Sequence, residues 1–188
     1  KKFFASINHE ILKGILKKHI IDKNILWLLD NVINSFNTEK RRGLGLPLGN
    51  VTSQLLINVY MNELDQYIKR RMKIRYYIRY ADDFVIFDRD KLYLENLIPR
   101  ISNYLENNLK LSLNQNKIFI KTLASGIDFL GWVNFSHHRI LRTSTKRRMF
   151  KKLKQRSTKE SVASYLGLLK HGNAYKLAKN VVGNIDRL

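Results

Sequence analysis

The 188-residue chain has no cysteine, only two prolines, and 15 acidic residues against 35 Lys+Arg. Without cysteine there is no disulfide scaffold and no Cys-ligated zinc or iron–sulfur centre. No stretch approaches ~18 uninterrupted apolar residues, so a membrane-spanning helix is not expected, and nothing resembles a signal peptide. Apolar residues nevertheless make up 44% of the chain, close to the globular norm, which argues against wholesale disorder. The length suits one domain, or one plus a small appendage. A net charge of +20 points to a polyanionic partner, nucleic acid first and an acidic membrane surface second. The sequence opens Lys1-Lys2-Phe3-Phe4 with no initiating Met and reads as a segment of a longer chain.

Periodicity divides the chain into helical, extended and again helical texture. Asn8 caps a predicted helix with Ile11, Leu12, Ile15 and Leu16 at 3.6-residue spacing. Asp22 caps a second that runs through Ile25, Leu28, Leu29, Val32 and Phe36. Residues 37–50 hold Gly43, Gly45, Gly49 and Pro47 among basic turns and read as an ordered loop. A third helix is expected from Val51 to Arg71, with Leu55, Val59, Leu64 and Ile68 inside. Strands are predicted at Ile74–Tyr80 and Phe84–Phe87, joined by a tight Ala81-Asp82-Asp83 connection. A helix over 91–108 follows, then strands at 117–122, 127–135 and 139–142. Residues 139–179 carry 13 Lys/Arg and one acid, Glu160, and Ser157-x-x-Glu160 reads as a capping box opening a helix that Gly172 ends. Trp27 and Trp132 read as core or hairpin aromatics, and the five histidines, lacking zinc-ligand spacing, as surface or polar-core residues.

Adjacent acids at the tip of an apolar hairpin call for a reason. Neighbouring strand side chains point to opposite faces, so Asp82 and Asp83 can serve one site only at a turn or bulge. Phosphoryl transfer with two Mg²⁺ about 4 Å apart needs such oxygen ligands on a rigid element. A merely polar turn is the alternative on the dipeptide alone.

Tyr80-Ala81-Asp82-Asp83 between apolar strands resembles the YxDD box of reverse transcriptases, and other landmarks follow in that family's order. Phe3-Phe4-Ala5-Ser6-Ile7 is similar to the end of the family's first palm motif, and Gly49-Asn50-Val51-Thr52-Ser53-Gln54 to its second. Leu113-Asn114-Gln115-Asn116-Lys117 resembles the lysine-bearing fourth, and Phe129-Leu130-Gly131 the primer-grip hairpin. The resemblance implies an α+β fold: a right-hand polymerase palm over 1–140, its antiparallel sheet backed by helices and its fingers largely missing, followed by a basic helical thumb over 141–188. It implies Asp82 and Asp83 as ligands of two Mg²⁺, with Mn²⁺ as a substitute. Phe3 and Phe4 would lie at the nucleotide sugar, Phe4 as a gate against a 2′-hydroxyl, with Leu48, Gly49, Gln54 and Tyr80 also at the nucleotide. Lys117 would donate a proton to the leaving pyrophosphate; a solvated strand-end lysine is the alternative. The first-motif aspartate would fall two positions ahead of Lys1, so these residues alone are expected to be inactive.

Leu48-Gly49 and Ser53-Gln54 stand where most relatives have Gln-Gly and Ser-Pro, a pattern that resembles the reverse transcriptases of diversity-generating retroelements. Ser164-Tyr165-Leu166-Gly167 and Lys170-His171-Gly172-Asn173-Ala174-Tyr175 are similar to that group's thumb. A Gln amide can hydrogen-bond the nascent pair, whereas leucine offers only dispersion contact, so discrimination should loosen. The resemblance implies error-prone copying of a template RNA, especially at adenines, with a small basic accessory protein and no membrane partner. An intron-type or defence-associated enzyme, and a non-catalytic RNA-binding scaffold, are the alternatives. Lys146, Arg147, Arg148, Lys151 and Lys152 are expected to track template–primer phosphates, binding that should weaken steeply with salt. Lys40-Arg41-Arg42 forms a second basic patch whose partner, template or accessory protein, stays open. The absence of targeting signals together with the resemblance implies a bacterial or phage-encoded cytoplasmic enzyme acting on dNTPs, a DNA or RNA primer and an RNA–DNA duplex.

Overall fold

A computed structural model describes residues 3–36, 42–47, 49–155 and 158–182. The chain divides into two compact units, Lys1–Ile120 and Lys121–Leu188. The first is helical with one hairpin: α1 (His9–His19), α2 (Lys23–Asn34), α3 (Val51–Gln66), β1 (Tyr77–Tyr80), β2 (Asp83–Ile86) and α4 (Lys91–Leu109). The second holds β3 (Ile127–Phe129), β4 (Trp132–Asn134), β5 (Arg139–Leu141), α5 (Thr143–Gln155), α6 (Lys159–Leu169) and α7 (Tyr175–Val182).

The first unit's core is built from α1, α3 and α4. Ser53, Leu56, Ile57, Tyr60, Met61 and Leu64 repeat at helical spacing and form the buried face of α3. That phase turns Leu55 outward, against the sequence expectation. They meet Leu12, Ile15 and Leu16 of α1 and Leu97, Ile101, Leu105 and Leu109 of α4 in one cluster. Beyond Gln66 the chain continues as a π turn, Tyr67–Arg71. Tyr67 stacks on Tyr104 of α4 with ring centroids 3.9 Å apart. The Tyr60 hydroxyl donates to the Leu109 carbonyl at 2.6 Å, satisfying a buried helix-end acceptor; burial pushes it up to about 12, so it stays a donor. On α2 only Ile33 is buried, while Ile25, Trp27, Leu28 and Val32 are exposed. Trp27 is therefore no core residue: α2 packs on α1, joined by Lys13 to Asp30 at 2.7 Å and to Asn34 at 2.8 Å, and turns Ile33 into the core.

The β1–β2 hairpin is antiparallel, with Tyr77 opposite Ile86 and Tyr80 opposite Asp83, and it turns through Ala81 and Asp82. Tyr77, Phe84 and Ile86 pack on the helical core. The strand expected at 117–122 does not form. The Asn114 side chain accepts from the Asn116 amide at 3.2 Å and closes a 3₁₀ turn over Gln115–Lys117, and a second follows at Leu123–Ser125.

In the second unit β3, β4 and β5 form one antiparallel sheet in that order. Trp132 and Leu141 share a core with Met149, Leu153, Val162, Leu169, Ala174 and Val181. That shared core is why the division falls at 120/121 and not near 140: the strands belong with the helices they pack against. Helix α5 starts at Thr143, with Ser144 and Thr145 in its first turn. Thr158 caps α6 in a reciprocal box with Ser161, at 3.2 and 3.0 Å; Ser157, the expected cap, lies outside the described residues, as do Lys40 and Arg41. Gly172 is not the helix end either, since α6 stops at Leu169. It is glycine because the Trp132 ring lies on it, 2.1 Å from where a Cβ would sit.

Candidate active site

Two segments of the first unit converge by backbone pairing. The Leu46 amide donates to the Phe4 carbonyl at 2.9 Å and the Gly45 amide to the Ile7 carbonyl at 2.8 Å. Between them, Asn8 bridges Leu44, and the buried His9 ring meets the Gly45 carbonyl at 2.6 Å through Nε2. Half-buried Phe3 and Phe4, edge to face at 6.1 Å, thus lie beside the loop that leads to α3. Gly49, with φ +93° and open space where a Cβ would point, needs its glycine for the backbone turn. Leu48 lies outside the described residues. Gln54 is exposed on the first turn of α3, and Lys117 is exposed in its 3₁₀ turn, paired with neither Asp82 nor Asp83.

At the hairpin tip both carboxylates are exposed, and neither has a hydrogen-bond or ion-pair partner among the described residues. Tyr80 beside them is 64% exposed. The turn is strained: Ala81 holds φ +52°, a left-handed conformation that costs a non-glycine residue about 1–2 kcal/mol. Behind it stands a network unforeseen in the sequence. Arg79 grips Asp65 of α3 with two bonds, Nε to Oδ1 at 2.7 Å and Nη2 to Oδ2 at 2.6 Å. Its Nη1 donates to the Ala81 carbonyl at 2.8 Å and to Asn58 Oδ1 at 3.4 Å. The Tyr77 hydroxyl donates to the same Asp65 Oδ1 at 2.7 Å. Burial, and then the bond to that carboxylate, push the Tyr77 hydroxyl far above the usual tyrosine range, so it acts only as a donor. Nothing in the sequence announced it: Tyr77 and Arg79 are half-buried while Ile78 and Tyr80 face out, the reverse of what apolar alternation predicts.

No group of three or more His, Asp or Glu among the described residues could enclose a metal. Mg²⁺ seldom needs one: it is commonly held by one or two carboxylates, substrate phosphates and water. Two unengaged carboxylates at a turn fit that donor set.

In the second unit the β3–β4 turn is Leu130-Gly131, with φ +53° and +83°, and Phe129 is half-buried before it. Lys146, Arg147, Arg148, Lys151 and Lys152 are all exposed on α5, whose inner side is Met149 and Leu153. A concavity of about 500 Å³ runs along α5 between Lys146, Arg147, Phe150, Lys151 and Lys154. No helix among the described residues is long and apolar enough to cross a membrane.

This hairpin, with its two free acids, sits within the part of the sequence that known proteins share. The reverse transcriptase (RNA-dependent DNA polymerase) family matches residues 1–134, and the chain belongs to it. Enzymes of this family act on a template nucleic acid and a primer and generally use divalent metals such as Mg²⁺. An intron 2 protein of COX1/OXI3 from Saccharomyces cerevisiae is 24% identical over 70% of this chain and 22% of its own length. Protein YkfC of Escherichia coli is 27% identical over 89% of this chain and 52% of its own. A 91 kDa protein in the cob intron of Schizosaccharomyces pombe is 33% identical over 37% of this chain and 9% of its own. The chain thus spans about half or less of the curated relatives it matches.

Proposed function

We propose that this chain carries the palm and thumb of an RNA-templated DNA polymerase, with Asp82 and Asp83 as its metal ligands. The observation that carries the reading is the pair of exposed, unengaged carboxylates on a braced hairpin. Two Mg²⁺ bound there would activate the attacking 3′-hydroxyl and neutralise charge on the leaving pyrophosphate. The residues of the chain do the rest. Phe4, with Phe3 behind it, walls the sugar of the incoming dNTP, while Gly49 leaves open space for substrate and Gln54 and Tyr80 flank it. As the 3′-oxygen bonds to the α-phosphorus and the bond to pyrophosphate breaks, Lys117 gives a proton to the departing oxygen. Phe129, Leu130 and Gly131 hold the primer end, and the cations of α5 track the duplex phosphates, with affinity falling steeply as salt rises.

The test is Asp82→Ala in the full gene product, assayed by primer extension on RNA with Mg²⁺ and dNTPs. DNA synthesis should fall below detection while duplex binding is kept. Undiminished synthesis would overturn Asp82 as a metal ligand, whereas no cDNA from the parent protein, with RNA still bound, would favour an RNA-binding scaffold.

Within this chemistry we favour the diversity-generating type, on Leu48-Gly49 and Ser53-Gln54, working with a small basic accessory protein. Ser53 is buried and Gln54 exposed, so the closing Ser-Gln pair places one residue in the helix core and one at the open end of α3. An intron-type enzyme is the second reading, favoured by the two relatives whose names place them in introns. Sequencing the cDNA separates them. Errors concentrated opposite template adenines, and reduced by Leu48→Gln, support the first; sparse and even errors support the second.

A further inference from the structure

Arg79 is the basic residue nearest in sequence to the two acids, yet it pairs with neither. Its side chain is 9% exposed and its guanidinium is held on both oxygens of Asp65, itself reinforced by Tyr77 and carried on helix α3. The remaining Nη1 reaches forward to the carbonyl of Ala81, the strained residue directly before Asp82. Two consequences follow from the geometry. A bidentate pair on a helix fixes the guanidinium plane, and the bond to Ala81 then holds a left-handed turn that an alanine would otherwise leave. The same pair keeps a neighbouring cation away from carboxylates that have no other partner among the described residues, in a chain with a net charge of +20.

We infer that Asp65, Arg79 and Tyr77 form a positioning clamp that sets the Ala81-Asp82 turn and, by retaining the Arg79 charge on α3, leaves Asp82 and Asp83 open to divalent cations. The inference rests on the polymerase reading and assigns to it residues that contact neither substrate nor metal. The clamp predicts that the charge of Arg79 becomes harmful once Asp65 can no longer hold it. An exposed ion pair between Arg79 and a tip carboxylate would compete with Mg²⁺ by about fivefold in apparent affinity.

The experiment uses the full gene product with Asp65→Asn, the double variant Asp65→Asn/Arg79→Gln, Arg79→Lys, and Asp82→Ala as the control. Three quantities are read: the Mg²⁺ concentration for half-maximal primer extension, Mn²⁺ binding to the protein without nucleic acid by electron paramagnetic resonance, and amide hydrogen exchange at residues 81–83. Asp65→Asn should raise half-saturating Mg²⁺ and weaken Mn²⁺ binding about fivefold, with KM for dNTP little changed. Removing the released charge in the double variant should bring both back toward the parent values. A bridge that merely stabilises the fold would make the double variant at least as impaired as the single one. Arg79→Lys, which keeps the charge and cannot make both ends of the clamp, should speed exchange at residues 81–83 ahead of the rest of the hairpin. If Asp65→Asn does not fold, that exchange measurement decides alone. Unaltered exchange there, or unaltered metal dependence in a folded Asp65→Asn, overturns the clamp. Synthesis surviving Asp82→Ala overturns the metal-ligand reading of the hairpin tip instead, whatever the clamp variants do.

Discussion

The hairpins β1–β2 and β3–β4 are built alike and held differently. Each turns through two residues, the first with a left-handed backbone and a side chain that does not favour it: Ala81 at φ +52° and Leu130 at +53°. Each also has an Arg–Asp pair close by. Arg79 meets Asp65 with side chains 9% and 26% exposed, whereas Arg142 meets Asp128 with both about 40% exposed. The first pair ties its hairpin to a helix and clasps the turn carbonyl. The second links β3 to the residue just past the end of β5, and its turn carbonyl, Gly131, is met by the Arg142 amide at 3.0 Å without the side chain. What anchors β3–β4 is apolar: Trp132, 7% exposed, on Gly172 and the second core. One hairpin therefore depends on polar bonds and the other on a packed ring, although a residue count would make them equivalents.

The largest effect is expected where the polar anchor is cut. Arg79→Ala leaves the Asp65 carboxylate half-buried with only Tyr77, and should cost about 2–3 kcal/mol in urea unfolding of the first unit. A loss below about 1 kcal/mol would make the two Arg–Asp pairs equivalent and break the comparison. Next comes the apolar anchor. Gly172→Ala drives a methyl into the Trp132 ring, with three ring carbons within 2.9 Å of the new Cβ; about 2 kcal/mol should be lost from the second unit. Arg142→Ala, at an exposed pair, should cost less than about 1 kcal/mol and lose its effect in high salt.

The contrast also shows what could be read from the residues beforehand. The place of Asp82-Asp83 at a hairpin tip was legible from the aromatic and β-branched runs on either side, the helix over 9–19 from its cap and spacing, and the helix over 91–109 to within a residue. The phase of α3 was not, because Leu55 and Leu56 are equally apolar and only the packing partners α1 and α4 choose between them. The clamp was hidden for a related reason. Alternation puts apolar Ile78 inside and Arg79 outside, and the observed strand inverts this because Asp65, fourteen residues away in sequence, supplies the partner that makes an inward arginine tolerable. Likewise the texture break near residue 140 marked where helices resume, while the units divide where the core changes, at 120/121. A strand carries no local sign of which core it will join.

The smallest expected effect is the sharpest for the comparison, because it separates strain from support. Ala81→Gly and Leu130→Gly each remove a left-handed penalty of about 1–2 kcal/mol, against about 0.4–1 kcal/mol for the greater freedom of glycine in the unfolded chain. Ala81 gives up almost no buried surface, so Ala81→Gly should gain about 0.5 kcal/mol. Leu130, 48% exposed, loses half a leucine of packing and should come out near zero. Hydrogen exchange supplies the second axis. With Arg79 still on the residue 81 carbonyl, Ala81→Gly should leave exchange at residues 81–83 close to the parent. In an Arg79→Lys background the same glycine should accelerate it severalfold, since nothing then holds the turn. Equal acceleration in both backgrounds would mean that the alanine itself, and not the guanidinium behind it, keeps the hairpin tip in place.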